Sequence, residues 1–193
     1  MKKIGIVFSI LTIIFLAAPV EAQNIYIGPL AGLNLADVDI DIEGKNAEKK
    51  LQETFKEINP QIIGFYAMTW NYRQARDLAR KFKEINSKIT TIIGGPNLTC
   101  LTEESLKFGN FEFGIMREGE KTIIELIDKL EGKNNLDVGQ ILGLAFKKDG
   151  EIIINPLRPL IEDLDSIPFP ARHLVPIEKY FDVFSRKKHF ATI

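Results

Sequence analysis

One strand–helix–strand unit between residues 61 and 96 places the tightest constraint on the fold of this chain. Residues 61–70 form a short and almost entirely apolar run, which is typical of a strand buried on both faces of a parallel sheet. Apolar residues recur at helical spacing from Asn71 to Ile85, and a second apolar run, Ile89–Ile93, stops at Gly94-Gly95-Pro96. The unit therefore predicts a parallel α/β sheet with its binding site where strands end and helices begin.

The helix predicted in this unit has an apolar stripe on one side and basic residues on the other. Spacings of three and four residues bring side chains onto one face of a helix. The apolar positions, which we expect to pack on the sheet, are Ala75, Leu78, Ala79, Phe82 and Ile85. The basic positions, which we expect to face water, are Arg73, Arg76, Arg80 and Lys83.

The overall composition argues against several classes of function. The 193 residues carry a formal net charge of −1, with 45% hydrophobic and 26% charged residues. We therefore expect neither a nucleic-acid partner nor a membrane partner. The single cysteine, Cys100, excludes an internal disulfide framework and any multi-cysteine metal site within this chain. His173 and His189 stand apart, without the spacing of metal ligands.

The N-terminal region admits two interpretations. Lysines at the start, an apolar stretch from Ile4 to Ala18 and the sequence Val20-Glu21-Ala22 match a secretory signal peptide, although the stretch is too short for a typical membrane span. Alternatively, Lys3–Phe8 is the first strand, Ser9–Gln23 is the first helix, and a second strand lies near Ile25–Leu30. We favour this second interpretation, because the later units need a partner strand at the centre of the sheet.

The remainder of the chain predicts further helices and strands and then a linker. Asp149-Gly150 between two short apolar runs indicates a β-hairpin. Repeated prolines after Asn155 indicate an extended linker. We expect helices at Lys45–Ile58, at Leu101–Lys107 and from Arg117-Glu118-Gly119-Glu120 onward, and strands at Phe111–Met116, Leu142–Lys147 and Glu151–Ile154.

These elements together predict an α/β fold of the flavodoxin-like, or Rossmann-like, type. Its doubly wound parallel sheet would have the strand order 2-1-3-4-5 and would be followed by a C-terminal β-hairpin and an extended linker. We assign residues 1–138 to the α/β domain, 139–156 to the hairpin and 157–193 to the Pro-rich linker and the start of a further domain.

The strand ends of the central unit carry the residues best suited to binding. Gly94-Gly95 lets the backbone and a flat ligand approach each other closely, because no Cβ intervenes. Thr69 and Trp70 follow the neighbouring strand and could line the same crevice. The alternative is structural: Thr69 or Asn71 caps the helix, and Trp70 is a partly buried aromatic residue.

Two carboxylates, Glu118 and Glu120, are predicted in the first turn of a helix. There a carboxylate gains roughly 0.3–1 kcal/mol from the helix dipole, and we favour this role over acid–base catalysis. The same two charges would repel a phosphate at this helix. The chain also has neither a P-loop nor a G-x-G-x-x-G motif.

An ordered set of short motifs resembles the N-terminal cobalamin-binding domain of B12-dependent radical S-adenosylmethionine proteins. The similarity extends from about Pro60 to Ile193 and includes the linker, and residues 15–23 resemble the first helix of that family. The motifs are Gln61-Ile-Ile-Gly-Phe, Asn71-Tyr-Arg-Gln-Ala, Ile92-Ile-Gly-Gly-Pro, Gly114-Ile-Met-Arg-Glu-Gly-Glu, Gly143-Leu-Ala-Phe-Lys-Lys-Asp-Gly and Ile167-Pro-Phe-Pro-Ala-Arg-His-Leu.

This resemblance implies that the nucleotide tail of cobalamin enters a crevice at the carboxyl ends of the strands, beside Gly94-Gly95. Other B12 domains carry Asp-x-His-x-x-Gly after strand one and Ser-x-Leu after strand three, where this chain has Phe8-Ser-Ile-Leu-Thr and Tyr66-Ala-Met. We therefore expect base-off binding without a histidine ligand to cobalt. The cofactor-binding candidates are Ser9, Tyr66, Ala67, Met68, Thr69, Trp70, Gly94, Gly95, Pro96, Arg117, Glu118 and Gly119; we assign no catalytic residue and no protein ligand to a metal.

The family's next element would be a Cys-x-x-x-Cys-x-x-Cys motif that holds a [4Fe–4S] cluster. This sequence lacks that motif, so we expect a cytoplasmic cobalamin-binding module without a cluster and without catalysis of its own, paired with a separate radical S-adenosylmethionine domain or chain. Two alternatives are an interaction domain that has lost cobalamin and an exported flavodoxin-like protein with a true signal peptide.

Overall fold

The computed structural model describes the strand backbones of residues 4–9 and 12–17, the helical residues 52, 53 and 55, and the continuous stretch 60–167. Seven strands in this part of the chain form one mixed sheet with the order β2-β1-β3-β4-β5-β6-β7. The strands are β1 (Ile4–Ser9), β2 (Thr12–Ala17), β3 (Ile62–Tyr66), β4 (Thr90–Gly94), β5 (Phe113–Ile115), β6 (Leu144–Lys148) and β7 (Glu151–Ile154).

Four α-helices in the stretch 60–167 connect strands β3 to β6. Within it, no helix combines the length and the apolar character needed to cross a bilayer. The α-helices are α1 (Tyr72–Ile85), α2 (Pro96–Cys100), α3 (Thr102–Lys107) and α4 (Glu120–Leu130); short 3₁₀ helices lie at Val138–Gln140 and Leu164–Ser166.

The sheet corrects the prediction of a flavodoxin-like parallel sheet with the order 2-1-3-4-5: the observed β2 is an antiparallel neighbour of β1 and not the predicted second parallel strand. Strands β3 to β7 lie side by side in chain order. Strands β3, β4 and β5 are parallel, and β6 and β7 each pair antiparallel with the strand before them. Beside β1 lies the antiparallel strand β2, where the prediction placed a helix. Residues 12–17 read Thr-Ile-Ile-Phe-Leu-Ala, and their β-branched and aromatic side chains favour a strand. The second strand predicted near Ile25–Leu30 lies outside the described residues.

The first predicted strand is confirmed. Strand β1 pairs in parallel with β3, with Ile4 opposite Ile62 and Val7 opposite Phe65. Strands β1, β3, β4 and β5 therefore run in one direction. Their common carboxyl ends, from Ser9 to Ile115, define what we call the carboxyl end of the sheet.

Helices cover both faces of the sheet, as the apolar patterns predict. Along β3, Ile63 and Phe65 belong to one core and Ile62 to the other, because successive side chains of a strand point to opposite faces. Helix α1 packs its predicted stripe into the first core, where Phe82 stacks on Phe55 with ring centroids 5.3 Å apart. Burying a side chain such as Phe82 contributes roughly 1.5–3 kcal/mol. Helix α4 adds Leu126 to the second core.

The predicted hairpin is confirmed as β6 and β7. Asp149 has φ 52° and Gly150 has φ 85°, so both central residues are in the left-handed conformation that a type I′ turn requires. Lys148 and Glu151 close the ladder on either side.

Residues 156–167 have little regular structure, as predicted for the linker, but they are attached to the domain. The Gly143 N–H donates to the Pro156 carbonyl at 2.8 Å, and the Arg158 guanidinium pairs with Glu125 on α4. The Ile161 N–H donates to the Glu118 carboxylate at 2.7 Å. The division of the chain into three parts stays a prediction.

Candidate functional site

Three turns meet at the carboxyl end of the sheet. Tyr66, Gly94 and Ile115 lie opposite one another at the ends of β3, β4 and β5, so these strands stop at the same level. The Ala67 N–H donates to the Gly94 carbonyl at 2.9 Å, which joins the first two turns. A ligand placed here would contact residues far apart in the sequence.

The turn after β3 is closed by a buried asparagine and exposes three side chains. The Oδ1 atom of Asn71, a residue only 2% exposed, accepts the Met68 N–H at 2.7 Å. Helix α1 has no side-chain cap, which contradicts the alternative of capping by Thr69 or Asn71. Trp70 is 62% exposed, so the alternative of a partly buried aromatic is also wrong. Met68 and Thr69 are exposed beside it.

The two glycines after β4 have different roles. Gly95 has φ 99°, and a Cβ there would lie 2.8 Å from the Ala67 carbonyl oxygen and 3.0 Å from the Ala67 nitrogen. The protein's own backbone therefore requires Gly95. Among the described residues, a Cβ on Gly94 would meet only the Ile115 carbonyl oxygen, at an ordinary contact distance of 3.6 Å. Gly94 alone therefore leaves space that a ligand could use.

The turn after β5 contains a non-glycine residue in the left-handed region. Arg117 has φ 58° and is exposed. Its N–H donates to the Thr99 hydroxyl at 3.0 Å, and that hydroxyl lies 3.3 Å from the Gly95 carbonyl oxygen, to which it donates. Sequence reasoning missed Thr99, since its only signal is a threonine four residues after Gly95 on α2.

Glu118 and Gly119 connect the third turn to other elements. Helix α4 begins at Glu120, so Glu120 is in the first turn as predicted, whereas Glu118 precedes the helix. One carboxylate oxygen of Glu118 accepts a hydrogen bond from the Ile161 N–H, so this candidate residue has a structural contact. A Cβ on Gly119 would lie 2.8 Å from the Ile115 side chain, so close packing accounts for this glycine.

The structure brings the predicted site residues to one end of the sheet. Ser9 is the last residue of β1 and therefore lies at the same end as Tyr66 on the neighbouring strand. Ala67 is fully buried, and its N–H and carbonyl are bonded to Gly94 and Asn97, so it presents no group to a ligand; Pro96 begins α2. Within the described part of the chain, no three His, Cys, Asp or Glu side chains are grouped to hold a metal ion.

A polar cluster joins the helices that follow β3 and β4. The Tyr72 hydroxyl donates to the Ser105 carbonyl at 2.9 Å, and the Asn97 amide donates to the Ser105 hydroxyl, also at 2.9 Å. These bonds join α1, α2 and α3. Burial raises the pKa of the Tyr72 phenol, and the positive charge of Arg76 acts in the opposite direction.

Comparison with known families identifies the class of domain. The family model described as B12 binding domain matches residues 17–127, which is more than half of the chain and includes β3, β4, β5 and the turns after them. The chain therefore belongs to the B12-binding domain family. The resemblance to the N-terminal domain of B12-dependent radical S-adenosylmethionine proteins is confirmed.

Individual relatives agree with this assignment. The chain is 34% identical over 131 residues to an uncharacterized methyltransferase of Pyrococcus horikoshii, covering 67% of this chain and 28% of that protein. It is 30% identical over 145 residues to the anaerobic magnesium-protoporphyrin IX monomethyl ester cyclase of Rubrivivax gelatinosus, covering 74% of this chain and 26% of the cyclase. The chain thus spans about a quarter of the length of these relatives.

A solved structure shares the fold. The radical S-adenosylmethionine methyltransferase TsrM from Kitasatospora setae, solved with cobalamin and a [4Fe–4S] cluster bound, aligns with a TM-score of 0.53 at 17% identity. The alignment covers 70% of this chain and 27% of TsrM. At this level of identity the likeness concerns the fold alone.

Proposed function

We propose that this chain binds cobalamin at the carboxyl end of its sheet and is the cobalamin-binding module of a radical S-adenosylmethionine type protein. The observation that carries the proposal is that the described residues leave room for a Cβ beside Gly94, at the end of the central strand of a B12-binding domain. In this role the cofactor supplies the cobalt chemistry, and the residues of the chain bind and orient it.

The residues at this end of the sheet suit a large, flat, partly apolar ligand. Gly94 allows the benzimidazole of the nucleotide tail to approach the backbone. Met68 and Trp70 are 39% and 62% exposed, and burying them under a ring system would remove apolar surface from water. Tyr66 is half-buried at the adjacent strand end.

The sequence of the site supports binding without a histidine ligand to cobalt. None of the candidate residues is a histidine, and the two histidines of the chain, His173 and His189, lie outside the described residues. We propose a base-off, His-off complex. After reduction of the bound cofactor to the cobalt(II) state, electron paramagnetic resonance should show no nitrogen hyperfine splitting from an axial ligand; such splitting would contradict this binding mode.

Titration with hydroxocobalamin tests the site. We expect saturable binding to the wild type and a loss of affinity of tenfold or more for Gly94→Val, because the new side chain would fill the space above the strand end. Thr90→Val is the matched control, since it places valine at the opposite end of the same strand.

Each outcome of this titration decides a separate question. The absence of saturable binding to the wild type would overturn the proposed function and favour an interaction domain. Equal affinities for the wild type and Gly94→Val would instead show that the site is misplaced.

We also propose that the chain holds no iron–sulfur cluster and relies on a separate radical S-adenosylmethionine domain for catalysis. A cluster needs several convergent thiolates, and this sequence offers Cys100 alone, on α2 beside the turn after β4. Anaerobic reconstitution with iron and sulfide should leave only substoichiometric iron and give no 5′-deoxyadenosine. Stoichiometric iron with product formation would contradict the proposal.

Finally, we propose that the N-terminus is retained and that the protein is cytoplasmic. Strand β1 lies inside the sheet between β2 and β3, so cleavage after Ala22 would remove two of its strands. The intact mass of protein from its native host should include residues 1–22. A mass that lacks them would favour the exported alternative.

A further inference from the structure

The hydroxyl of Thr99 is a hydrogen-bond junction between two of the three turns of the site. It donates to the Gly95 carbonyl in the turn after β4 and accepts the N–H of Arg117 in the turn after β5, at 3.3 and 3.0 Å. One side-chain oxygen thus links the backbone of the turn after β4 to the backbone of the turn after β5.

The residue held by this junction is in a costly conformation. Arg117 has φ 58°, a region that residues other than glycine, asparagine and aspartate seldom occupy. The hydrogen bond from its N–H to Thr99 restrains the peptide plane that precedes Arg117, so it fixes where the chain enters this strained residue. Arg117 is exposed, and within residues 60–167 its guanidinium forms no ion pair. No ion pair of its side chain with these residues therefore holds the backbone of this turn.

We propose that Thr99 is a positioning residue of the cobalamin site, which acts by tying the peptide before the strained residue Arg117 to the turn after β4 and thereby keeps the turn after β5 at the distance from Gly94-Gly95 that the cofactor needs. This inference rests on the proposed function and adds a residue to it. Thr99 itself need not contact the cofactor.

A neighbouring threonine shows what a purely local role looks like. The Thr102 hydroxyl donates at 2.8 Å to the carbonyl of Leu98, four residues earlier in the chain. This hydrogen bond joins α3 to α2 and not to the turn after β5. Thr102→Val therefore removes a hydroxyl of the same type, three residues from Thr99, without breaking the junction.

The test is a double-mutant cycle between positions 99 and 117, measured by titration with hydroxocobalamin. We expect Thr99→Val to weaken binding about tenfold, whereas Thr99→Ser and Thr102→Val bind within twofold of the wild type. Glycine adopts the left-handed conformation without strain. In the Arg117→Gly background, Thr99→Val should therefore weaken binding by less than threefold. Thr99→Ala replaces Thr99→Val if the valine variant does not fold.

The coupling between the two positions separates positioning from simple stabilisation. If the Thr99 hydroxyl only stabilised the fold, its removal would weaken binding by the same factor in both backgrounds. That result would overturn the inference. Unchanged binding by Thr99→Val would overturn it as well. Both results leave cobalamin binding by the wild type intact, so they differ from failure of the proposed function, in which the wild type itself does not bind.

Discussion

The two ends of the parallel strands are built in opposite ways. At the amino end, Glu112 accepts the Thr91 N–H at 2.7 Å and pairs with the Lys83 ammonium, which also reaches the Ile89 carbonyl. At the carboxyl end, Trp70 and Met68 are exposed, and the described residues around Gly94 would accommodate a Cβ without a close contact. The sequence predicted a solvent-facing Lys83, and this prediction is wrong, because the ion pair with Glu112 leaves its side chain only 23% exposed.

This difference indicates which end of the sheet is available for a ligand. Polar groups at the amino end are satisfied within the protein, so they stabilise the fold and leave little to bind a partner. The carboxyl end keeps apolar surface in water and a glycine without a packing role. In open α/β sheets ligands bind outside the carboxyl ends of the strands, and the distribution of contacts here follows that rule.

The largest effect on stability should come from the glycine that the backbone itself requires. Gly95→Val combines a left-handed φ with a close contact to the Ala67 backbone, and we expect it to lower the free energy of unfolding by about 3 kcal/mol or more. Gly94→Val should cost less than about 1 kcal/mol, since valine favours a strand. Urea denaturation measures both, and equal losses would contradict the distinct roles of the two glycines.

A smaller effect is expected from the network at the amino end. Glu112→Ala removes the acceptor of the Thr91 N–H and the partner of Lys83, and should lower the free energy of unfolding by about 2 kcal/mol. Hydroxocobalamin affinity should stay within twofold. Glu104→Ala, an exposed carboxylate on α3, is the control for the loss of charge alone. A large loss of affinity in Glu112→Ala would show that the two ends are coupled.

The smallest effect concerns how stability depends on pH through Tyr72, which belongs to the polar cluster near the carboxyl end of the sheet. Because burial raises the pKa of Tyr72 above the value of the unfolded chain, folding favours the neutral phenol. Its contribution is fully present below pH 10 and is lost as the pH rises through the folded-state pKa. Between pH 9 and about pH 11, Tyr72→Phe should therefore lose less stability than the wild type in parallel denaturation curves. Equal slopes would contradict this assignment.

Local patterns predicted much of the fold because they record which face of an element is buried. The stripe from Ala75 to Ile85 and the Asp149-Gly150 turn needed no distant information, and both predictions are confirmed. The helix predicted over Ser9–Gln23 is wrong at residues 12–17, because a short β-branched run satisfies either pattern until a partner strand is known. The position of this segment in the sheet, and not the periodicity of its residues, determined that it forms a strand.

The candidate site could be predicted only to the level of strand ends. Sequence placed Gly94 and Gly95 together, but their different roles depend on a φ angle and on the Ala67 backbone. Neither the partner of Lys83 nor the role of Thr99 leaves a local trace, because Glu112 and Arg117 are many residues away. Such contacts exist only after the chain has folded.

The attachment of residues 156–161 has a consequence for the reach of the polypeptide. With Arg158 held by Glu125 and the Ile161 N–H held by Glu118, the chain beyond this point departs from beside the turn after β5. The five residue steps from Pro156 to Ile161 would add about 17 Å to a free tether if fully extended. The two contacts remove this extra length from the tether. Any group joined beyond residue 161 therefore has a higher effective concentration at the carboxyl end of the sheet.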